Sequence, residues 1–348
     1  MSKGPACRIR TMSKIETRSF GITRAGQSVD QFILTNSRGA SVRLMNFGAA
    51  VTHIVVPDRQ GKLADVTLGW DDFKPYETNP CYFGVVVGRY GNRIARGQFT
   101  LDAAEYELPI NNGVNHLHGG PGGLQTRYWN AEIIGDSVRF SILDSEGAEG
   151  YPGNVRISVT YTWTDSSALR LDYEATTDRP TPLNLTNHAY FNLKDGGRTT
   201  ILDHLLTAAA DRHTPVDDTQ IPTGQIAPVA GTPLDFTWPK PIGRDRFEYD
   251  HNLVLSKPAG EFGFAVRLTD PVSGRTMEVW TTEPGVQFYS GNFLDGSVQG
   301  KGGAIYQKFA GLCLECQHFP DSPNRPEFPG TILRPGRIYR QWTEYRFG

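Results

Sequence analysis

The chain has 348 residues, 38% of them hydrophobic and 21% charged, which supports a buried core and excludes a disordered chain. Lys and Arg number 35 against 37 Asp and Glu, a net charge of -2 with no block of like charge, so neither nucleic acid nor an anionic membrane is expected as partner. No apolar run reaches the roughly 18 residues of a membrane span, and four cysteines in so long a chain do not make a disulfide scaffold.

Taken in chain order, residues 1–15 read as a loose polar tail with Met12 as a second candidate start. The first 21 residues lack an apolar core of signal-peptide length, so the expected compartment is the cytoplasm. Beyond the tail, 16–348 reads as one domain, because no shift in composition marks a linker. Thirty-eight Gly and 23 Pro interrupt the chain too often for long helices. Between these breaks lie short runs rich in Val, Ile, Thr, Tyr and Phe, which predict strands at 31–35, 41–46, 51–56, 85–87, 98–101, 106–108, 131–134 and 138–143. The clearest hairpin joins 155–164 to 169–177 through Asp165-Ser166-Ser167, with apolar and polar residues alternating on both arms. Further strands are expected at 183–188, 202–208, 252–255, 265–269, 277–282, 286–290, 312–319 and 338–347. Only short segments such as 70–76 read as a turn of helix. The fold class is all-β, one large sandwich of two extended sheets, with no repeat of propeller-blade length.

Five polar stretches break this pattern. Gly88-Arg89-Tyr90-Gly91-Asn92-Arg93-Ile94 places arginines beside glycines, where a guanidinium can hold a ligand oxygen or simply cap a surface turn. The loop 111–120 carries His116 and His118 two apart, a spacing that invites a metal. The following Pro121-Gly122-Gly123-Leu124-Gln125 supplies no carboxylate, so no metal is expected. In 183–191, read as a strand, Asn184, Thr186, His188 and Tyr190 share one face opposite Leu183, Leu185, Ala189 and Phe191. Tyr249-Asp250-His251-Asn252 leads into a strand, and Pro284-Gly285-Val286-Gln287-Phe288-Tyr289 offers an amide that both donates and accepts.

The densest stretch is Gly311-Leu312-Cys313-Leu314-Glu315-Cys316-Gln317-His318-Phe319. As a strand it puts Leu312, Leu314 and Cys316 on one face and Cys313, Glu315 and Gln317 on the other. Glu315 then faces either solvent or a polar cavity, since a carboxylate is rarely buried without a partner. Cys313 and Cys316 have the spacing of a redox or metal motif, but a strand sends them to opposite faces, where they read as small core-like residues. Together the six stretches supply a carboxylate, imidazoles, amides, an arginine, an aspartate and aromatic rings, with no nucleophile motif, phosphate loop or metal cluster. That inventory suits proton transfer on an uncharged polyhydroxylated ligand.

These residues resemble a known family, the aldose 1-epimerases or galactose mutarotases. The resemblance is carried, in order, by Gly91-Asn92-Arg93-Ile94-Ala95-Arg96-Gly97, Asn115-His116-Leu117-His118-Gly119-Gly120 and Asn187-His188-Ala189-Tyr190-Phe191-Asn192-Leu193. Pro233-Leu234-Asp235-Phe236, Asp250-His251-Asn252, Gly285-Val286-Gln287-Phe288-Tyr289 and Leu314-Glu315-Cys316-Gln317-His318-Phe319-Pro320-Asp321 continue it. Cys316 departs from the family, many of whose members carry Thr there. The resemblance implies a large antiparallel β-sandwich of the galactose mutarotase type with the site in a cleft on one sheet. It assigns the general base to Glu315 and the general acid to His188. Sugar hydroxyls would be held by Asn92, Arg93, His118, Asp250 and Gln287. It implies an aldose as substrate, no metal or other cofactor, and a monomer or homodimer. Two rivals share the pattern: a phosphorylated-hexose epimerase, which needs an added cluster of Arg or Lys near the site whereas Arg89, Arg93 and Arg96 all fit the unphosphorylated pattern, and a sugar-binding or sensor protein without catalysis. An unrelated β-sandwich lectin would make every signature a coincidence.

Overall fold

The computed structural model describes residues 14–348. The expected tail at 1–15 lies outside the described residues except for Lys14 and Ile15, which open the first strand, Lys14–Ile22. Among the described residues there is no α-helix, only 3-10 turns such as Lys74–Glu77, where Pro75 fixes the entry of the turn expected at 70–76. No helix of the described residues is long and apolar enough to cross a membrane.

One layer of the sandwich is a nine-stranded antiparallel sheet. Its strands run in the order Asn130–Ile134, Ser137–Asp144, Val155–Trp163, Ala168–Thr177, Tyr339–Phe347, Thr276–Thr281, Gly263–Thr269, Leu205–Ala208 and Lys240–Pro241. The predicted hairpin sits in its middle, Val155 pairing with Thr177 and Trp163 with Leu169. Alternation along it sends Val155, Ile157, Val159, Tyr161 and Trp163 into the core. The two largest of these satisfy their polar tips on the opposite layer: Tyr161 Oη donates to the Ala49 carbonyl at 2.7 Å and Trp163 Nε1 to the Ala40 carbonyl at 3.0 Å.

The opposite layer is split, where the sequence pattern predicts one continuous sheet. A five-stranded meander, Lys14–Ile22 through Leu63–Asp65, covers one part of the nine-stranded sheet, with Phe32 edge-on to Phe140 at 5.6 Å. A six-stranded sheet covers the rest: Tyr190–Phe191, Leu312–Gln317, Gly285–Tyr289, Asp250–Val254, Arg212–His213 and Ala227–Pro228. It meets the nine-stranded sheet where Tyr345 Oη donates to the Leu314 carbonyl. Between these two sheets the chain makes ladders of only two residues, Val86–Val87 with Thr186–Asn187 and Arg93–Ile94 with His116–Leu117. At Gly84 the backbone leaves the extended conformation beside Val51. The φ of this glycine is +72° and a Cβ on it would lie 1.9 Å from the Val51 carbonyl oxygen. The short ladders carry Asn92, Arg93, His118 and His188 to the mouth of the six-stranded sheet.

Candidate active site

Three neighbouring strands of the six-stranded sheet build the floor. Register pairs Cys313 with Tyr289 and Tyr289 with Asp250, then Glu315 with Gln287 and Gln287 with Asn252. These rows face outward, while Leu312, Leu314, Cys316, Val286, Phe288 and Leu253 on the other face enter the main core. The alternation predicted for 312–317 therefore holds, and of the two environments open to Glu315 the structure places it in the cavity, 2% exposed.

The segment 183–191 is not a continuous strand. Its ladders are limited to Thr186–Asn187 and Tyr190–Phe191, with an isolated bridge from Asn184 to Tyr90; past Asn187 the His188 amide donates to the Val85 carbonyl at 2.9 Å and its carbonyl accepts from the Gly84 amide, one residue out of step with the ladder. That break aims the imidazole at the floor, with His188 Nε2 3.8 Å from Glu315 Oε1. Asn184, expected on the same face, instead clamps backbone, donating to the Gly91 and His318 carbonyls and accepting from the His318 amide.

Asn92 and His118 lock each other across the Arg93–Ile94 and His116–Leu117 ladder. The His118 amide donates to the Asn92 carbonyl at 3.0 Å, and the Asn92 amide donates to His118 Nδ1 at 3.1 Å. With Nδ1 accepting, the proton of the neutral imidazole resides on Nε2. His118, His188 and Glu315 offer ligand atoms within 4.8 Å of one another, close enough for a metal. The tautomer makes His118 a hydrogen-bond donor toward a ligand and not a metal ligand. His116 has a different role: its two nitrogens meet the Pro109 carbonyl at 2.7 Å and Tyr151 Oη at 2.8 Å, so it is a structural residue. The turn after His118 needs Gly119, whose φ is +80° and whose Cβ would fall 1.9 Å from the Gly88 carbonyl oxygen. Gly119→Ala is expected to displace His118, lowering both kcat/KM and stability, the latter by more than about 1 kcal/mol. Urea unfolding and turnover of the same preparation check this.

Asp250 is held from two sides. Gln287 Nε2 donates to its Oδ1 at 2.7 Å and Arg93 Nη1 lies 3.6 Å from its Oδ2. Arg93 is itself oriented by Nε donating to Asn112 Oδ1 at 2.9 Å. Gln287, expected to touch the ligand, sits in the row beside Glu315 and donates to Asp250 from Nε2, while its buried Oε1 has no hydrogen-bond partner. Arg89 and Arg96 are not at the site. Arg89 is fully buried against Asp144 at 2.8 Å, and Arg96 is exposed in a separate groove beside Asp321.

The cavity so formed has a volume of about 260 Å³ and holds Asn92, Arg93, His118, His188, Asp250 and Glu315. Its rim contains residues that no sequence pattern singles out: Cys81 and Tyr82 after the Asn79-Pro80 turn, and Phe293, which is 73% exposed. Tyr82 stacks on His188 with ring centroids 5.6 Å apart, and Tyr289 stacks on Phe293 at 5.8 Å. The turn at 79–82 is legible from Asn-Pro, but a tyrosine in a turn carries no mark of a cavity.

Burial controls the charges here. It holds the Glu315 carboxyl well above the ordinary carboxylate range, with the charge of Asp250 adding and that of Arg93 opposing. It pushes His188 down to about 4 and keeps His118 well below an ordinary imidazole. Burial thus disfavours charge on both members of the pair Glu315–His188, which a neutral donor and an arginine flank. Such a site gives and takes protons on adjacent oxygens of a small hydroxylated molecule.

A family model described as Aldose 1-epimerase matches residues 30–346. The chain is 45% identical over 342 residues to the galactose mutarotase of Mus musculus, covering 97% of this chain and 99% of that one. It is 37% identical over 334 residues to the aldose 1-epimerase of Escherichia coli K12, covering 92% and 96%. A crystal structure of an aldose epimerase homologue from C. elegans superposes with a TM-score of 0.85 at 34% identity, covering 97% and 99%. With the split sandwich and the facing imidazole and carboxyl already in place, these likenesses settle the relationship: the chain belongs to the aldose 1-epimerase family.

Proposed function

We propose that the chain interconverts the α and β anomers of aldohexoses such as galactose and glucose, with Glu315 as general base and His188 as general acid. The observation that carries this reading is the 3.8 Å approach of His188 Nε2 to Glu315 Oε1 on facing walls of a sugar-sized cavity. The base removes the proton of the anomeric hydroxyl while the acid protonates the ring oxygen, and the bond between the anomeric carbon and that oxygen breaks. The open chain is a free aldehyde. Its terminal carbon turns over, and ring closure reverses both transfers, so the enzyme ends with the protons it began with. Nothing is oxidised and no group is transferred, so the chemistry calls for no cofactor. Burial raises the carboxyl and lowers the imidazole, which favours the pair's proton on Glu315 at rest. Moving it to His188 through a bridging sugar hydroxyl arms the acid and the base together.

Around the ring, His118 donates from Nε2, Arg93 and Asn92 donate, and Asp250 accepts from hydroxyls. Gln287 contributes by fixing Asp250. A phosphorylated sugar is disfavoured, because the only cavity arginine among the three in 88–96 is Arg93, which already faces Asp250.

His188→Asn is expected to slow the polarimetric change of fresh α-galactose by about 100- to 10,000-fold. A wild-type trace from this variant would dismiss the assignment. The pH profile offers a second check. The active pair holds one proton. Below about pH 4 His188 takes up a second and the base is lost. Well above the ordinary carboxylate range the last proton leaves Glu315 and the acid is lost. kcat/KM should therefore be flat between two limbs, falling on the acid side near pH 4. A profile turning instead at an ordinary imidazole pKa, about 6.5, would contradict this charge assignment.

A further inference from the structure

His188 exchanges protons through Nε2, and its other nitrogen has a partner that this chemistry does not use. His188 Nδ1 lies 3.5 Å from Cys313 Sγ. Cys313 is fully buried on the cavity side of its strand, in register with Tyr190 on one side and Tyr289 on the other. Those two rings pack on the imidazole at 5.2 and 6.4 Å. The other groups facing it are Glu315 at Nε2, Tyr82 stacked at 5.6 Å, His118 edge-on at 5.1 Å, and the more distant charge of Asp250. Among the described residues, no carboxylate meets Nδ1.

This differs from the usual support of a working histidine by a carboxylate, which takes the second N–H and raises the basicity of the ring. A thiol sulfur is a weak acceptor. Burial pushes the Cys313 thiol well above its ordinary value, so it stays neutral. A hydrogen bond to its own backbone also engages the His188 ring.

We propose that Cys313 is a positioning residue for the acid–base pair: its sulfur accepts from His188 Nδ1–H and so leaves Nε2 to give and take the transferred proton. The proposal rests on His188 being the acid. The protons balance through the cycle. The imidazolium loses its Nε2 proton to the ring oxygen and becomes the neutral Nδ1–H tautomer, then recovers that proton on ring closure, while the Nδ1 proton never leaves. Because the acceptor is uncharged, the imidazole remains a weak base and its protonated form a strong acid toward a poorly basic ring oxygen. A carboxylate in the same place would hold the proton more tightly and slow its delivery.

The test uses the full-length enzyme with Cys313→Ala and Cys313→Ser. Mutarotation kinetics give kcat and KM, and nitrogen-15 NMR of the histidine rings reports which nitrogen of His188 carries the proton, with His188→Asn identifying the signal. In Cys313→Ala, kcat should fall about tenfold with KM within about twofold of wild type, and an Nε2–H population should appear. Cys313→Ser, whose shorter C–O bond leaves the hydroxyl farther from the ring, should recover part of both. A Cys313→Ala enzyme with wild-type kcat, or with His188 still wholly Nδ1–H, overturns the proposal. If that variant does not fold, Cys313→Val, which fills the space without an acceptor, replaces it, and wild-type values of both readouts in Cys313→Val overturn the proposal equally. The tautomer is read without turnover, so an active His188→Asn enzyme would sink the acid assignment separately from the role of Cys313.

Discussion

Glu315→Gln is expected to slow mutarotation by about 100- to 10,000-fold while leaving the fold intact. Gln has nearly the same shape, so the row Glu315–Gln287–Asn252 keeps its packing, and Leu314 and Cys316 behind it are untouched. What disappears is a group able to hold the proton of the anomeric hydroxyl. The loss should fall on kcat and not on KM, because the amide still hydrogen-bonds a hydroxyl in the ground state. Stability should stay level or rise, since Glu315 is a buried carboxyl whose Oε2 has no hydrogen-bond partner in the protein. Polarimetry of α-galactose beside thermal unfolding separates these effects. A variant that turns over at the wild-type rate would remove Glu315 from the mechanism, and one that is inactive because it is unfolded would remove it from the argument about chemistry.

Arg89→Met should have the opposite signature, a large loss of stability of about 3–5 kcal/mol. Arg89 is an uncommon kind of residue, a guanidinium with no exposed surface. Its Nε donates to Asp144 Oδ2 at 2.8 Å, its Nη1 to the carbonyls of Pro152 and Gly153 and to Thr181 Oγ1, and its Nη2 to the carbonyls of Asp144 and Ser145. One side chain thereby ties the loop 144–153 to the segment that carries Asn92 and Arg93. Met fills much of the volume but strands Asp144, whose remaining cation is Arg127 at 3.5 Å, and leaves several carbonyls unpaired in the interior. Activity should fall only as far as Asn92 and Arg93 lose their places, so kcat/KM per folded molecule should drop less than in Glu315→Gln. Urea titration gives the first quantity and active-site-normalised polarimetry the second. A stability change under about 1 kcal/mol would mean that the buried pair is dispensable.

These two arginine and glutamate positions illustrate what could be seen in the chain alone. Arg89 and Arg93 stand four residues apart in one glycine-rich stretch, and composition treats them alike. Only folding sends the first into the interior against Asp144 and the second to the cavity against Asp250. His116 and His118 part in the same way, one bonded on both nitrogens within the structure and one presenting Nε2 to a ligand. Gln287 lies on the expected face, and the register of neighbouring strands brings its Nε2 to Asp250 while leaving its Oε1 without a partner.

By itself the sequence determined the elements and their faces: alternation along 155–177 and 312–317, together with frequent Gly and Pro, leaves few options but paired strands with Glu315 opposite the core. That information is local, carried by a period of two residues and by turn chemistry. The tertiary structure alone decided the 3.8 Å meeting of His188 with Glu315, the sulfur behind Nδ1, the aromatic rim of Tyr82 and Phe293, and the division of the second layer into two sheets. Each of these joins residues tens to hundreds of positions apart, where no periodicity operates. Burial then sets their protonation, since a group's charge depends on the medium that folding wraps around it.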